Sequence, residues 1–162
     1  MSVDLKRWWR HLLFPRRFPK AALPAIEQAI KEGEATHGGE LRFAAEDALD
    51  AAELFAGESA RERAIEVFSE LHVWDTEQNN GVLIYLLLAD HDIEIVADRG
   101  LNGKVSPAEW EAACQAMEQA LARGDYEQGV VEGIKEVSRL LARHYPPRPG
   151  DRNELPDKPV RL

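Results

Sequence analysis

The run VLIYLLL, residues Val82–Leu88, constrains the fold more than any other stretch of the sequence. It has no polar position, so a strand formed by it has no face suited to water. It is also far shorter than the roughly 20 apolar residues needed to span a bilayer. A strand of this composition is buried on both faces, as in the centre of an α/β sheet. The run therefore predicts a central strand with helices on both sides.

Strand and helix patterns surround this central strand. Glu40–Ala45 and Ile93–Ala97 are further predicted strands. Capping boxes or apolar periodicity predict four helices, which begin near Pro24, Ser59, Ser106 and Asp125. A helix separates the first two strands, so these form a right-handed parallel crossover. Only Ala89–Asp92 separates the second and third strands, which must therefore pair antiparallel.

These patterns predict a three-layer α/β/α fold with a small mixed sheet, a parallel crossover plus an antiparallel hairpin, and about four helices. Composition divides the chain into a basic aromatic arm at 1–18, the α/β domain at 19–146 and a proline-rich tail at 147–162 that is predicted to be disordered. The apolar residues of the arm are interrupted by arginine and histidine, unlike those of an export signal. With a single cysteine, this predicts a cytoplasmic location.

Charge separates the arm from the rest of the chain. Residues 1–20 contain six basic residues and one acidic residue, a net charge of +5. Because the whole chain has a net charge of −9, the other 142 residues carry −14. An acidic body repels nucleic acid, and no nucleic-acid partner is expected. The arm, in contrast, can meet anionic lipid.

As a helix, the arm would place apolar residues at spacings of three and four with basic residues around them, as in helices that rest at the membrane surface. The candidate membrane contacts are Lys6, Arg7, Trp8, Trp9, Arg10 and Leu13. The alternative is that the two tryptophans pack onto the domain itself.

Acidic residues gather where the two parallel strands end. Asp90-His91-Asp92 has the D-x-D spacing that phosphatases of the haloacid dehalogenase type use around magnesium, but a strand resumes at once, which favours a turn. Ligands of open α/β sheets bind at this edge. The candidate ligands for Ca²⁺ or Mg²⁺ are Asp50, Asp90 and Asp92. The alternative is a solvated acidic rim.

A second group of polar residues is predicted at the opposite edge of the sheet, where donors, acceptors and one positive charge would converge. The candidate ligand-binding residues are Asp75, Asn79, Asn80, Asp98, Arg99 and Gly100. Pairing with neighbours or a role in turns would explain the same residues. No phosphate-binding loop, nucleophile elbow or C-x-x-C motif is present, so no catalytic residue is assigned.

Three blocks in order, HGGELRF, NNGVLIYLLLADHDIEIVADRGL and GDYEQGVVEGIKEVSRLLARHYP, resemble the TPM domain family over roughly residues 20–146. The resemblance is to short bacterial members without a signal peptide. It implies a three-layer α/β fold. Some members are described as acid phosphatases, some bind divalent cations, and bacterial members often accompany membrane proteins of the LemA family.

The expected function is a TPM-domain binding or interaction module near the inner face of the membrane. The acidic edge would let this module bind Ca²⁺ or Mg²⁺, and the resemblance implies a LemA-type membrane protein as the partner. The alternative is a weak metal-dependent acid phosphatase. Asn79 stands where the family has aspartate, and Asp98 where the family has a glycine.

Overall fold

The computed structural model describes residues 4–14 and 16–162, which leaves residues 1–3 and Pro15 of the predicted arm outside the described residues. Six helices lie within these ranges: α1 (Leu5–Leu12), α2 (Leu23–Glu34), α3 (Ala51–Ala56), α4 (Ala60–Glu70), α5 (Pro107–Ala122) and α6 (Tyr126–His144). Four strands accompany them: β1 (Glu40–Glu46), β2 (Gly81–Leu87), β3 (Asp92–Ala97) and β4 (Val160–Arg161). None of the helices described here is long and apolar enough to cross a membrane.

The strand β2 is buried along its whole length, as the sequence predicts. Val82 and Ile84 belong to a core cluster that α2, α5 and α6 cover. Leu83 and Tyr85 point to the other face and belong to a second cluster, which α3 and α4 cover. Because β2 has no polar face, both layers of helices are needed to remove it from water, and the fold has three layers.

The strand order in the sheet is β3-β2-β1-β4. β1 pairs parallel with β2, and β2 pairs antiparallel with β3, so the predicted crossover and hairpin are confirmed. Both predicted capping boxes are present, at Ser59 and at Ser106. The short helix α3 is an addition to the four predicted helices, and α1 forms in the arm.

The carboxyl-terminal tail, for which composition predicts disorder, makes contacts with the domain. Leu155 is buried in the second core cluster. The Glu40 carboxylate accepts hydrogen bonds from the backbone N–H groups of Glu154 and Leu155 at 3.1 and 3.2 Å. β4 then pairs parallel with β1. These contacts use isolated residues and backbone groups, which leave no periodic pattern in the sequence.

We expect Leu155→Ala to lower the free energy of unfolding by about 2–3 kcal/mol, because it removes a buried leucine side chain from the core. Leu162→Ala, at an exposed position of the same tail, is the matched control and should change it by less than about 0.5 kcal/mol. Urea denaturation followed by circular dichroism measures both. Equal transition midpoints for Leu155→Ala and the wild type would contradict a docked tail.

Candidate functional site

The helix α1 joins the domain at Asp90, which follows the end of β2. The Asp90 Oδ2 atom accepts a hydrogen bond from Arg7 Nε at 2.9 Å and lies 2.9 Å from Arg7 Nη2. Its Oδ1 atom lies 2.9 Å from His11 Nε2 and also pairs with the Arg10 guanidinium. Arg7 Nη1 donates a further hydrogen bond to the Glu58 carbonyl at 2.7 Å. Three side chains of α1 therefore converge on a single carboxylate.

The imidazole of His11 bridges α1 to the segment before α3. Its side chain is fully buried, and its Nδ1 atom accepts a hydrogen bond from the Leu49 N–H at 2.9 Å. A ring nitrogen that accepts a hydrogen bond carries no proton, so the proton is on Nε2 and is donated to Asp90. His11 thus ties α1 both to Asp90 and to the chain that follows β1.

The pKa of Asp90 reflects this environment. Burial raises the pKa, but the hydrogen bonds from His11, Arg7 and Arg10 outweigh burial and hold it below the usual value. Asp90 is therefore ionised at neutral pH, and its charge is matched within the protein.

The predicted cation ligands Asp50, Asp90 and Asp92 lie in three different environments. Asp50 caps α3, where its Oδ1 atom accepts a hydrogen bond from the Glu53 N–H at 2.9 Å. Asp90 binds the side chains of α1. Burial, with repulsion from Glu94 and Glu118, raises the pKa of Asp92 to about 6. Within residues 4–14 and 16–162, no three His, Cys, Asp or Glu side chains form a group that could hold a metal ion.

Two other carboxylates at this edge are also matched by side chains of the protein. Glu46 accepts hydrogen bonds from Arg63 Nε at 2.9 Å and from the Tyr85 hydroxyl at 2.6 Å. Asp47 accepts one from the Phe18 N–H at 2.8 Å and pairs with Arg161 of the tail at 3.4 Å. The acidic edge is thus closed by side chains from the arm, from α4 and from the tail.

At the opposite edge, the loop before β2 and the loop after β3 are joined by backbone hydrogen bonds. The Gly100 N–H donates to the Asn79 carbonyl at 2.8 Å, and the Asp98 N–H donates to the Gly81 carbonyl at 2.9 Å. Asn79 has a positive φ of 53°. A Cβ atom on Gly100 would collide with the carbonyls of Gln78 and Asn79, so the close approach of these loops requires glycine.

The side chains of this second predicted site act mainly on neighbouring backbone. Asn80 is buried and its Nδ2 atom donates to the Gly38 carbonyl at 2.9 Å, while Asp98 Oδ1 accepts from the Arg99 N–H at 2.7 Å. Asp75 and Arg99 are exposed. Asn80 Oδ1 and Asp98 Oδ2 are buried and have no hydrogen-bond partner among the described residues. The structure brings the two loops together, but the hydrogen bonds of Asn80 and Asp98 go to backbone groups of the protein.

Sequence reasoning missed a cluster of carboxyl groups below the tail. Burial raises the pKa of Glu34 to about 9, although its carboxyl group accepts a hydrogen bond from the Leu41 N–H at 2.9 Å. Burial also raises the pKa of Glu40 to about 7, and Asp157 of the tail adds to both shifts. The signal in the sequence is that Glu40 and Arg42 occupy alternate positions of the predicted strand Glu40–Ala45, which is otherwise apolar.

The fold and these loops match a known family. The family model described as TPM domain matches residues 18–140. The chain belongs to the TPM domain family. Its structure is similar to the NMR structure of the BA42 protein from the psychrophilic bacterium Bizionia argentinensis, with 29% identity and a TM-score of 0.78. That match covers 91% of this chain and 97% of BA42. The predicted resemblance is confirmed.

Two more distant structures share the fold alone. The N-terminal domain of a P. gingivalis protein has 17% identity and a TM-score of 0.62, with 81% of this chain and 82% of that chain covered. The N-terminal domain of cg2496 from Corynebacterium glutamicum has 15% identity and a TM-score of 0.56, with 77% and 74% covered. No curated protein matches the sequence.

We expect Asp90→Asn to release α1 from the domain, because it leaves Arg7 and Arg10 without the charge that holds them. Since breaking a buried ion pair costs about 3–5 kcal/mol and Arg10 is half-exposed, a loss of about 2 kcal/mol in the free energy of unfolding is expected. Limited trypsin digestion should also cut the variant faster at Arg7 and Arg10. Asp125→Asn, at an exposed pair, is the control. An unchanged cleavage rate in Asp90→Asn would show that Asp90 does not hold α1.

The raised pKa of Glu34 predicts a pH dependence. Above pH 4.5 the Glu34 carboxyl group keeps its proton in the folded state and loses it in the unfolded state. The contribution of Glu34 to the free energy of unfolding is therefore complete below about pH 4.5 and falls as the pH rises towards 9. Glu34→Gln should therefore make the free energy of unfolding fall less steeply between pH 6 and 8, by up to about 1.4 kcal/mol per pH unit. Urea denaturation at each pH, with exposed Glu32→Gln as control, measures this. Equal slopes for Glu34→Gln and the wild type would contradict it.

Proposed function

We propose that the chain is an interaction module that binds the surface of anionic membranes through α1. The observation that carries this proposal is the division of α1 into two faces. Arg7 and His11 bind Asp90, and Trp8 packs against the core cluster on that side of the sheet. Four apolar residues of α1 and its carboxyl-terminal cap are exposed: Leu5, Trp9, Leu12 and Leu13.

The exposed apolar residues lie along one stripe of α1. Residues 5, 9 and 12 are separated by four and three positions, which places their side chains above one another on a helix, and Leu13 follows at the end. The exposed fractions of these four residues are 64, 56, 46 and 68%. Interfacial helices place such a stripe at the boundary between headgroups and acyl chains. The sequence left open whether the tryptophans contact the membrane or pack on the domain. Trp8 packs on the domain, and Trp9 is exposed and available to a membrane.

The exposed basic residues of α1 and of the segment that follows it are Lys6, Arg16, Arg17 and Lys20. Each basic residue near an anionic membrane surface contributes about 1 kcal/mol to binding. The remainder of the chain is strongly acidic and is repelled by the same surface. The charge distribution therefore favours an orientation with α1 towards the lipid and the acidic body away from it.

A helix of eight residues is a weak membrane anchor by itself. Here α1 is already folded and held against the turn Leu88–Asp90 and α3 before it meets a membrane. Because the ordering cost is met on folding, more of the interaction with lipid contributes to binding. We propose the anionic inner leaflet as the target, where a LemA-type protein, the partner implied by the family resemblance, would be within reach.

The alternative function remains a weak metal-dependent acid phosphatase. It needs carboxylates that are free to hold a divalent cation, whereas Asp50 caps a helix and Asp90 is paired with α1. This geometry favours the binding module. Phosphate release from p-nitrophenyl phosphate with Mg²⁺, Ca²⁺, Mn²⁺ or Zn²⁺, above a blank without protein, would instead favour the phosphatase.

We expect the double variant Trp9→Ser, Leu13→Ser to bind vesicles containing about 30% phosphatidylserine at least about tenfold more weakly than the wild type, because it removes two exposed apolar contacts without disturbing Asp90. Trp74→Ser is the control and should bind as the wild type does. Trp74 is also exposed, but it lies in the loop before β2, whereas α1 docks at the turn after β2. Co-sedimentation measures the bound fraction. Equal sedimentation of the double variant and the wild type, or none for either, would reject α1 as the membrane contact.

A further inference from the structure

The outer side of β3 is an edge of the sheet, since no strand in the described part of the chain pairs with it. The Asp98 N–H points towards β2 and donates to the Gly81 carbonyl. Successive backbone N–H groups of a strand point in opposite directions, so the Ala97 N–H points away from β2. By the same alternation, Ile93 and Ile95 also direct their backbone groups outward.

Side chains cover two of these three outward positions. Glu118 Oε1 accepts a hydrogen bond from the Ile93 N–H at 3.1 Å, and Arg61 Nη1 donates one to the Ile95 carbonyl at 2.6 Å. These bonds take the place of those from a neighbouring strand and protect the edge. The Ala97 N–H has no loop or side-chain partner among residues 4–14 and 16–162. The protection of the edge therefore stops at Ala97.

A cavity of about 600 Å³ lies beside this unprotected position, and both Ile95 and Ala97 line it. Its apolar wall includes Leu101, Val105 and Trp110. A cavity of this size can accept several side chains of a bound segment. An unpaired strand edge and an apolar cavity thus lie side by side, which is the arrangement that proteins use to bind an extended peptide.

The surroundings of the cavity are acidic. Glu94 and Glu111 line it, and Glu118 and Asp92 lie along the same strand edge. Arg61 lies 3.2 Å from Glu94, and its side chain is half-exposed. The pKa of the Cys114 thiol beside this edge is raised to about 12. Burial is the largest cause, and the negative charges of Glu94, Glu118 and Glu111 add to it. A segment with positive side chains complements these charges.

We propose that β3 and this cavity bind an extended, basic segment of a partner protein, which adds to the sheet as a further strand. A carbonyl of the segment accepts the Ala97 N–H, and its alternate apolar side chains enter the cavity against Trp110. Its lysine or arginine side chains pair with Glu94 and Glu111. The Arg61 side chain moves into solvent and frees the Ile95 carbonyl for an N–H of the segment.

The test uses a fluorescent, end-blocked peptide of alternating lysine and apolar residues, KVKLKVK, with binding followed by anisotropy. Proline is tolerated on an edge strand where its nitrogen faces outward, so Ala97→Pro removes only the outward donor. We expect Ala97→Pro to weaken binding at least about tenfold. Glu111→Gln should weaken it about threefold, whereas Glu127→Gln, an exposed glutamate on α6 outside the cavity, should not.

Two altered peptides make the test independent of whether Ala97→Pro folds. Methylation of alternate backbone nitrogens keeps the charge but blocks strand pairing, and exchange of lysine for glutamate reverses the charge. Each should bind at least about tenfold more weakly. Equal binding of the methylated and unmethylated peptides would overturn the proposal by showing attraction by charge alone. A dimer of the protein that Ala97→Pro abolishes would also overturn it, since a second copy would then occupy the edge.

Discussion

The requirement to remove both faces of β2 from water positions the other layers of this domain. One face is covered by α2, α5 and α6, and the other by α3 and α4. The Asp90 carboxylate, in the turn that follows β2, is mostly shielded from solvent. A shielded carboxylate needs a matching charge, since an unpaired one costs several kcal/mol. Arg7 and Arg10 supply that charge and His11 adds a hydrogen bond, so α1 docks beside the end of β2.

The docking of α1 determines which of its faces is available for binding. The side chains that hold Asp90 and the core lie on one face, so Trp9 and its leucine neighbours must point outward. One edge of the sheet is extended beyond β1 by β4 of the tail. At the other edge, β3 has no strand neighbour among the described residues, and the Ala97 N–H faces outward. The two proposed surfaces lie at opposite ends of β3. A membrane contact at α1 and a peptide at Ala97 are therefore compatible.

Local patterns in the sequence predicted most of the core, and long-range polar contacts account for what was missed. The apolar run of β2, the short hairpin and the capping boxes at Ser59 and Ser106 are each contained within a few residues. The backbone N–H groups of Glu154 and Leu155 in the tail donate hydrogen bonds to the Glu40 carboxylate, which is more than 100 residues away in sequence, so no local pattern reveals them. Asp90 was correctly placed at the edge of the sheet. Its partner is a set of arm side chains that only the folded chain identifies.

The mobility of α1 distinguishes a docked helix from a flexible basic arm. Backbone ¹⁵N relaxation of the amides of Leu5–Leu12, compared with those of β2, measures it directly. If Asp90 holds α1 as described, the order parameters of α1 will be near those of a rigid backbone, about 0.85, as in β2. Order parameters below about 0.6 throughout α1, with β2 rigid, would show a flexible arm and contradict a membrane-binding face oriented by Asp90.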